Sequence, residues 1–201
     1  MAARLLTHWC RVVPAYLVAG ILAQAATAAV PAATDDAEVL RAVIEHTIRP
    51  EIRAWGRNAR IPGDPLLLIL DRTSMVCESG HDRGRQVCVT PEELLRVRGQ
   101  SELVQALVLR NRESEPVPLP ENAGVVSVSF ADLQQTLQQR SQETSGYAAF
   151  SLPGYSADGE HALVFGFHSC NGGRCQRGNV FLLAKMDGGW KVESVVGLWL
   201  S

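Results

Sequence analysis

The stretch from Tyr147 to Ser201 leaves this chain few choices. It reads as strand, cysteine loop, strand, turn and strand. The three apolar runs are Ala162-Leu-Val-Phe-Gly-Phe-His168, Asn179-Val-Phe-Leu-Leu-Ala-Lys-Met186 and Trp190-Lys-Val-Glu-Ser-Val-Val-Gly-Leu-Trp-Leu200. β-branched and aromatic residues favour strands, and the breaks between these runs hold Gly, Asn and Asp. Ser169-Cys-Asn-Gly-Gly-Arg-Cys-Gln-Arg-Gly178 separates the first two as a loop. Asp158-Gly159 and Asp187-Gly188 are hairpin signals, because Gly takes positive φ without steric cost. In the last run Trp190, Val192, Val196 and Leu198 share one parity, and Lys191 and Glu193 start the other. That alternation predicts a single buried face. Ala148-Ala-Phe-Ser-Leu152 is expected to join the sheet through the Pro153-Gly154 break.

Upstream the pattern changes to helices with strands between them. Asp35 is placed as a helix cap with Glu38 three residues on, the capping-box spacing. Leu40, Val43, Ile44, Thr47 and Ile48 then recur at helical spacing, and Pro50 is expected to end or kink the helix. Trp55 follows in a basic stretch and is expected to pack its indole over the sheet. Pro65-Leu-Leu-Leu-Ile-Leu-Asp71 reads as a buried strand, and Ser74-Met-Val-Cys77 and Gln86-Val-Cys-Val89 flank the first cysteine loop, which reads as a hairpin. Thr90-Pro-Glu-Glu93 is the clearest helix start, with Thr90 as cap, Pro91 at the first helical position and Glu93 closing the capping box. A second start at Ser101 carries Leu103, Val104, Leu107 and Val108 on one face. The proline-rich segment from Ser114 to Gly124 is a loop, and Val125-Val-Ser-Val-Ser129 is a brief strand. Phe130 to Arg140 is expected to be a helix capped by Ser129, with Phe130, Leu133 and Leu137 facing in. The expectation is an α+β fold, its amino-terminal helices and interspersed strands packed on a carboxy-terminal antiparallel β-meander. The chain of 201 residues holds a core large enough to need no cofactor for stability.

Residues 1–28 read as a signal peptide, and residues 29–201 as a single domain. Arg4 and Arg11 give a basic start, Val12 to Leu22 is an apolar core, and Ala23-Gln-Ala25 and Ala26-Thr-Ala28 fit the small-x-small cleavage rule. The apolar core is short for a bilayer span, so no stable span is expected after cleavage. The alternative is an uncleaved anchor. Cleavage removes Arg4, Arg11 and no acidic residue, so the mature chain is more acidic than the formal −2 of the whole. That charge gives no reason to expect nucleic acid as a partner. Cleavage also removes Cys10 and leaves Cys77, Cys88, Cys170 and Cys175. Four cysteines in an exported chain read as two disulfides, with three pairings open. The local pairing, Cys77–Cys88 with Cys170–Cys175, is favoured because each pair brackets a polar, glycine-containing loop. The expected location is periplasmic or extracellular.

Each candidate for chemistry has a plainer alternative. Gly154-Tyr-Ser-Ala-Asp-Gly159 comes near the serine nucleophile elbow but has one residue too many and lies between strands, where the elbow needs a following helix. It reads better as a turn whose Ser and Asp bond locally. His161, His168, Cys170 and Cys175 suggest zinc, but an oxidising compartment favours the disulfide, so no metal is expected and His168 reads as a surface or partly packed side chain at a strand end. Arg83 and Arg85 in the first cysteine loop, and Arg174 and Arg177 in the second, are candidate anion ligands beside glycine-rich backbone. Asp71 closes a buried strand without an identifiable partner, and His46 reads as solvent-facing.

The carboxy-terminal features carry a resemblance. Phe150-Ser151, Asp158-Gly159, Ala162-Leu-Val164, the glycine loop from Cys170 to Gly178, Gly189-Trp-Lys191 and Trp199 together resemble a loose group of uncharacterised bacterial secreted proteins. Ala106-Leu107, Arg110-Asn-Arg112 and Val125 to Ser129 fit the same group. The resemblance implies export and a bacterial source, and no activity. A fainter similarity, on Gly188 to Val192, is to nuclear-transport-factor-like domains, which hold ligands or active sites in the cavity of a curved sheet; this chain differs by interleaving strands among its early helices. The expected function is a non-catalytic binding or interaction domain with a small ligand or an envelope protein as partner. The alternative is a hydrolase-like enzyme with its site in a sheet cavity.

Overall fold

The computed structural model describes residues 33–58, 60–77, 88–120, 124–170 and 175–200. Residues 1–32, which include the expected signal peptide, and Arg83, Arg85, Arg174 and the tip of the second cysteine loop lie outside the described residues. The first helical segment is α1 (Ala33–Val43), a π-helical turn (Ile44–Ile48) and α2 (Arg49–Asn58), which run on without a break. Pro50, expected to end or kink this segment, does not end it. The wider turn directly before Pro50 takes up the missing N–H and the ring's demand for space in the preceding turn. Asp35 lies inside the first turn, not at a cap.

Next come β1 (Leu66–Leu70), β2 (Met75–Val76), β3 (Cys88–Val89), α3 (Pro91–Leu94) and α4 (Ser101–Arg110). The second half holds β4 (Val125–Val128), α5 (Leu133–Gln139), β5 (Thr144–Phe150), β6 (Gly154–Tyr155), β7 (His161–Cys170), β8 (Cys175–Met186) and β9 (Gly189–Leu200). The fold is α+β. A seven-stranded sheet runs β4-β1-β5-β7-β8-β9, with β6 also pairing β7. β1 is parallel to both neighbours, and from β5 onward the pairs are antiparallel. A strand flanked on both sides and covered on both faces must be apolar throughout, which is why β1 reads Leu-Leu-Leu-Ile-Leu.

Helices cover both faces. On one, Val39, Leu40, Val43, Ile44, Ile48 and Ile52 pack against Leu67, Ile69, Phe150, Val164, Phe181 and Trp190. On the other, Leu94, Leu103, Leu107 and Leu133 pack against Leu68, Leu163, Phe165 and Val180. The parity expected of β9 does not hold along its whole length. Register shifts opposite Leu182/Leu183 and Gly178/Asn179 put Trp190 and Val192 on the α1–α2 face and Leu198 on the other. An extra residue in a strand reverses the facing of the residues beyond it.

Three other expectations need correcting. The Cys77–Cys88 segment is not a hairpin, because β2 and β3 run parallel. The segment before α5 is a turn in which Ser129 Oγ accepts the Asp132 N–H; helix begins only at Leu133 and Phe130 is 49% exposed. The second cysteine loop is shorter than it reads, since β7 runs to Cys170 and β8 starts at Cys175. Both local disulfides are formed, with Cα separations of 5.7 Å for Cys77–Cys88 and 5.3 Å for Cys170–Cys175.

The start of α3 is built as the sequence predicts. Thr90 Oγ1 accepts the Glu93 N–H, and the Glu93 carboxylate accepts the Thr90 N–H. Thr90→Ala is expected to cost about 1 kcal/mol. A urea midpoint equal to that of the parent would show that the cap contributes nothing.

Candidate functional site

The long β7–β8 ladder decides what stands together at one end of the sheet. His168 pairs with Arg177, and Cys170 pairs with Cys175 one step further out. Alternation puts His168 on the same face as Ala162 and Val164, the face that α1 and α2 cover. Across it, Glu51 and Trp55 stand one helical turn apart on α2, so both project toward the same strand ends. The result is a cluster of Glu51, Trp55, His168 and Arg177 between helix and sheet.

Its geometry is tight. The Trp55 and His168 ring centroids are 4.7 Å apart and tilted by 43°. An Arg177 N–H donates to Glu51 Oε1 at 2.9 Å. His168 Nε2 lies 3.1 Å from Glu51 Oε2, but outside hydrogen-bond geometry. Glu51 Oε2 and both imidazole nitrogens are buried without a hydrogen-bond partner. His168 is 0% exposed, whereas Glu51 and Arg177 reach solvent at the rim. The expectation of a surface or partly packed histidine is therefore overturned: β7 is covered at this end by α2.

Burial sets the protonation of the pair. It raises the Glu51 carboxyl above its ordinary range, against the pull of Arg177. It lowers the His168 imidazole to about 4, and Arg177 adds to that. In free solution the imidazole is the stronger base of the two. Here the carboxyl moves up and the imidazole moves down, which narrows or inverts that order. At neutral pH the imidazole is uncharged, and it stands beside the hydrogen-bonded Glu51 and Arg177.

A second polar cluster ties the two helical layers together around β6. Arg110 donates to both Asp36 oxygens, at 2.9 and 2.6 Å, and to the Pro153 carbonyl at 2.8 Å. The Tyr155 hydroxyl donates to Asp36 at 2.8 Å. Asp36 is 3% exposed. The Tyr155 hydroxyl is pushed strongly upward, first by burial and then by the Asp36 charge. Every strong donor and acceptor there has a partner, so this cluster is a clamp with nothing left over for a ligand.

The other candidates fall in place locally. Ser156 donates to Asp158 at 2.5 Å and accepts the His161 N–H, so the near-elbow is a self-bonded turn. Cys170 and Cys175 spend their sulfurs on each other. Arg177 is engaged by Glu51, and the other three arginines proposed for an anion lie outside the described residues. His46 is exposed. Gly178, read in the sequence as part of the loop, lies inside β8 and serves packing, since a Cβ there would overlap the Trp199 indole. Sequence reasoning singled out Trp55, His168 and Arg177 separately and missed Glu51, because Pro50 appeared to close the helix just before it. The spacing of Glu51 and Trp55 was the available signal. Comparison of the chain with protein-family models, with curated proteins and with solved structures finds no match.

Proposed function

We propose that this protein is an exported, non-catalytic binding domain that takes a small hydrogen-bond-donating ligand where α2 meets the ends of β7 and β8. The observation that carries the reading is the buried trio of unpartnered acceptors and donors: Glu51 Oε2, His168 Nδ1 and His168 Nε2. An orphaned buried polar group costs about 1–3 kcal/mol, and an apolar side chain in place of His168 would avoid that cost. A ligand bearing a hydroxyl, amine or amide would complete the set, entering at the rim where Glu51 and Arg177 meet solvent. Export is supported by the charged start, apolar core and small-residue run of the first residues, by the secreted group that the carboxy-terminal half resembles, and by two disulfides. Among the described residues no helix is long and apolar enough to cross a membrane.

A hydrolase-like enzyme is the second reading, favoured by one observation: the opposed shifts of Glu51 and His168, the sort of pairing from which acid–base roles are made. One experiment separates the two. Nitrogen NMR of the His168 ring, in material secreted by the producing cell, is followed as glucose, N-acetylglucosamine and acetamide are added in turn. Binding predicts a shift of the ring resonances with at least one probe and no turnover of ester or glycoside substrates. Turnover abolished by Glu51→Gln would favour the enzyme, and unmoved resonances with all three probes would remove the binding reading. Amino-terminal sequencing of the same material should begin near Ala26 or Ala29; Met1 would remove the cleaved leader.

A further inference from the structure

We propose that the outer flank of α2 is a docking surface for an acidic polysaccharide, held by Arg49, Arg53, Arg57 and Arg60. The surface is separate from the cluster at His168 and does not need the ligand reading.

Helical spacing builds it. Arg49, Arg53 and Arg57 recur every four residues and form a column about 12 Å long. Ile48, Ile52 and Gly56 are buried toward the sheet, and Glu51 and Trp55 take the flank that meets His168. The arginine column falls on the opposite flank. Arg53, Arg57 and Arg60 are exposed. Residues 49–64 carry four arginines and two acids. One acid, Glu51, is engaged by Arg177. The other, Asp64, is shared: Arg53 donates to both its oxygens, at 2.7 and 3.0 Å, and Arg49 reaches it at 3.5 Å. One carboxylate among four guanidiniums leaves this flank cationic, on a chain whose formal net charge is −2.

Arg60 stands out by its backbone as well. Its N–H donates to the Arg57 carbonyl and the Ile61 N–H donates to the Gly56 carbonyl, the paired bonds of a Schellman cap. Arg60 thus occupies the position where glycine is usual, with a left-handed φ of 58°. Among the described residues no other non-glycine residue has a positive φ. Glycine would close the helix with less strain; what arginine adds there is a fourth exposed guanidinium at the end of the column.

The chemistry of the column selects the partner. A guanidinium fork pairs with a carboxylate or sulfate through two parallel hydrogen bonds. Acid groups repeat along a uronic or sulfated sugar chain and match a column better than one small anion does. A bilayer fits less well, because none of the large exposed apolar side chains, Leu95, Leu109, Phe130, Met186 and Val195, lies on α2. Single-stranded nucleic acid also fits less well, because Trp55, the one aromatic side chain of α2, is turned to His168.

Retention of the purified chain on immobilised heparin and on immobilised polygalacturonate, at about 0.15 M salt, tests this. The parent should be held by at least one of the two and released as salt rises. Arg57→Gln/Arg60→Gly should weaken that binding about tenfold or more. Glycine relieves the left-handed strain, so the urea midpoint of this variant should be no lower than the parent's. Should it be lower, Arg57→Gln alone decides, with an expected loss of about threefold. Arg98→Gln/Arg112→Gln removes the same charge from exposed positions beside α3 and α4 and should bind as the parent does. No retention of the parent on either polysaccharide would overturn the proposal, and so would unchanged binding by the α2 variants or an equal loss in both double variants. Capture by phosphatidylglycerol vesicles without retention on either polysaccharide would assign the flank to a membrane instead.

Discussion

Asp36→Ala should lower the stability of the fold by about 3 kcal/mol, at the lower end of what removing one partner of a buried ion pair costs. The substitution leaves the Arg110 guanidinium with only the Pro153 carbonyl and strips the Tyr155 hydroxyl of its acceptor. Arg110 is partly open to water, which is why the upper end of the range is not expected. Tyr155→Phe, which deletes a single hydroxyl and keeps the ring against Trp190, should cost about 1 kcal/mol. Urea midpoints of the two variants give the comparison directly. If Asp36→Ala costs no more than Tyr155→Phe, the clamp is solvated and α1 is held by its apolar face alone.

His168→Phe should raise the stability at neutral pH by about 1–2 kcal/mol and flatten the loss of stability in acid. The gain at neutral pH comes from removing two buried nitrogens that have no partner. The acid effect follows from the sign of the shift. The imidazole sits at about 4 in the fold, below its ordinary 6.5, so the unfolded chain takes up the proton first. The stability at issue is fully present above about pH 6.5 and is lost as pH falls toward 4, by at most about 3 kcal/mol. Glu51 acts in the opposite sense. Its raised carboxyl is protonated in the fold before it is in the unfolded chain, which offsets part of the loss on the same descent. Urea midpoints at pH 7 and pH 5 for parent and variant measure both effects. A lower midpoint for the variant at pH 7 would mean that the imidazole is a structural group, and the argument for a ligand there would fall with it.

The sheet was legible in the sequence because its strands obey local rules. β1 is an unbroken apolar run between turn formers, and β8 and β9 are joined by Asp187-Gly188, whose Gly takes φ of 93°. The Thr90 cap and the local disulfides were legible for the same reason, since each depends on residues close in the chain. Facing was not. The register shifts in β9 have no local signature, so a clean alternation from Trp190 to Leu198 predicts one face where there are two. The parallel pairing of β1 with β4 and β5 joins segments far apart in sequence, and no pattern in either partner announces it. The candidate site failed to assemble for a related reason. His168 at the end of an apolar run looks like a surface residue until a helix from the other end of the chain is laid over it. Arg177 looks free until Glu51 is placed.

The position of β1 has a consequence for how the chain must come together. It is the earliest strand of the main sheet in sequence, yet it lies between β4 and β5, both made later. The antiparallel β7–β8–β9 ribbon closes through short connections and has the lower loop-closure cost, so it is suited to form first. β1 gains its two partners only after residue 150 has been synthesised. Until then its five apolar residues have at most β4 to pair with, and a nascent amino-terminal half cannot complete the core on its own. The core is therefore expected to close only late in synthesis. That delay suits threading through a membrane channel, as the proposed export requires.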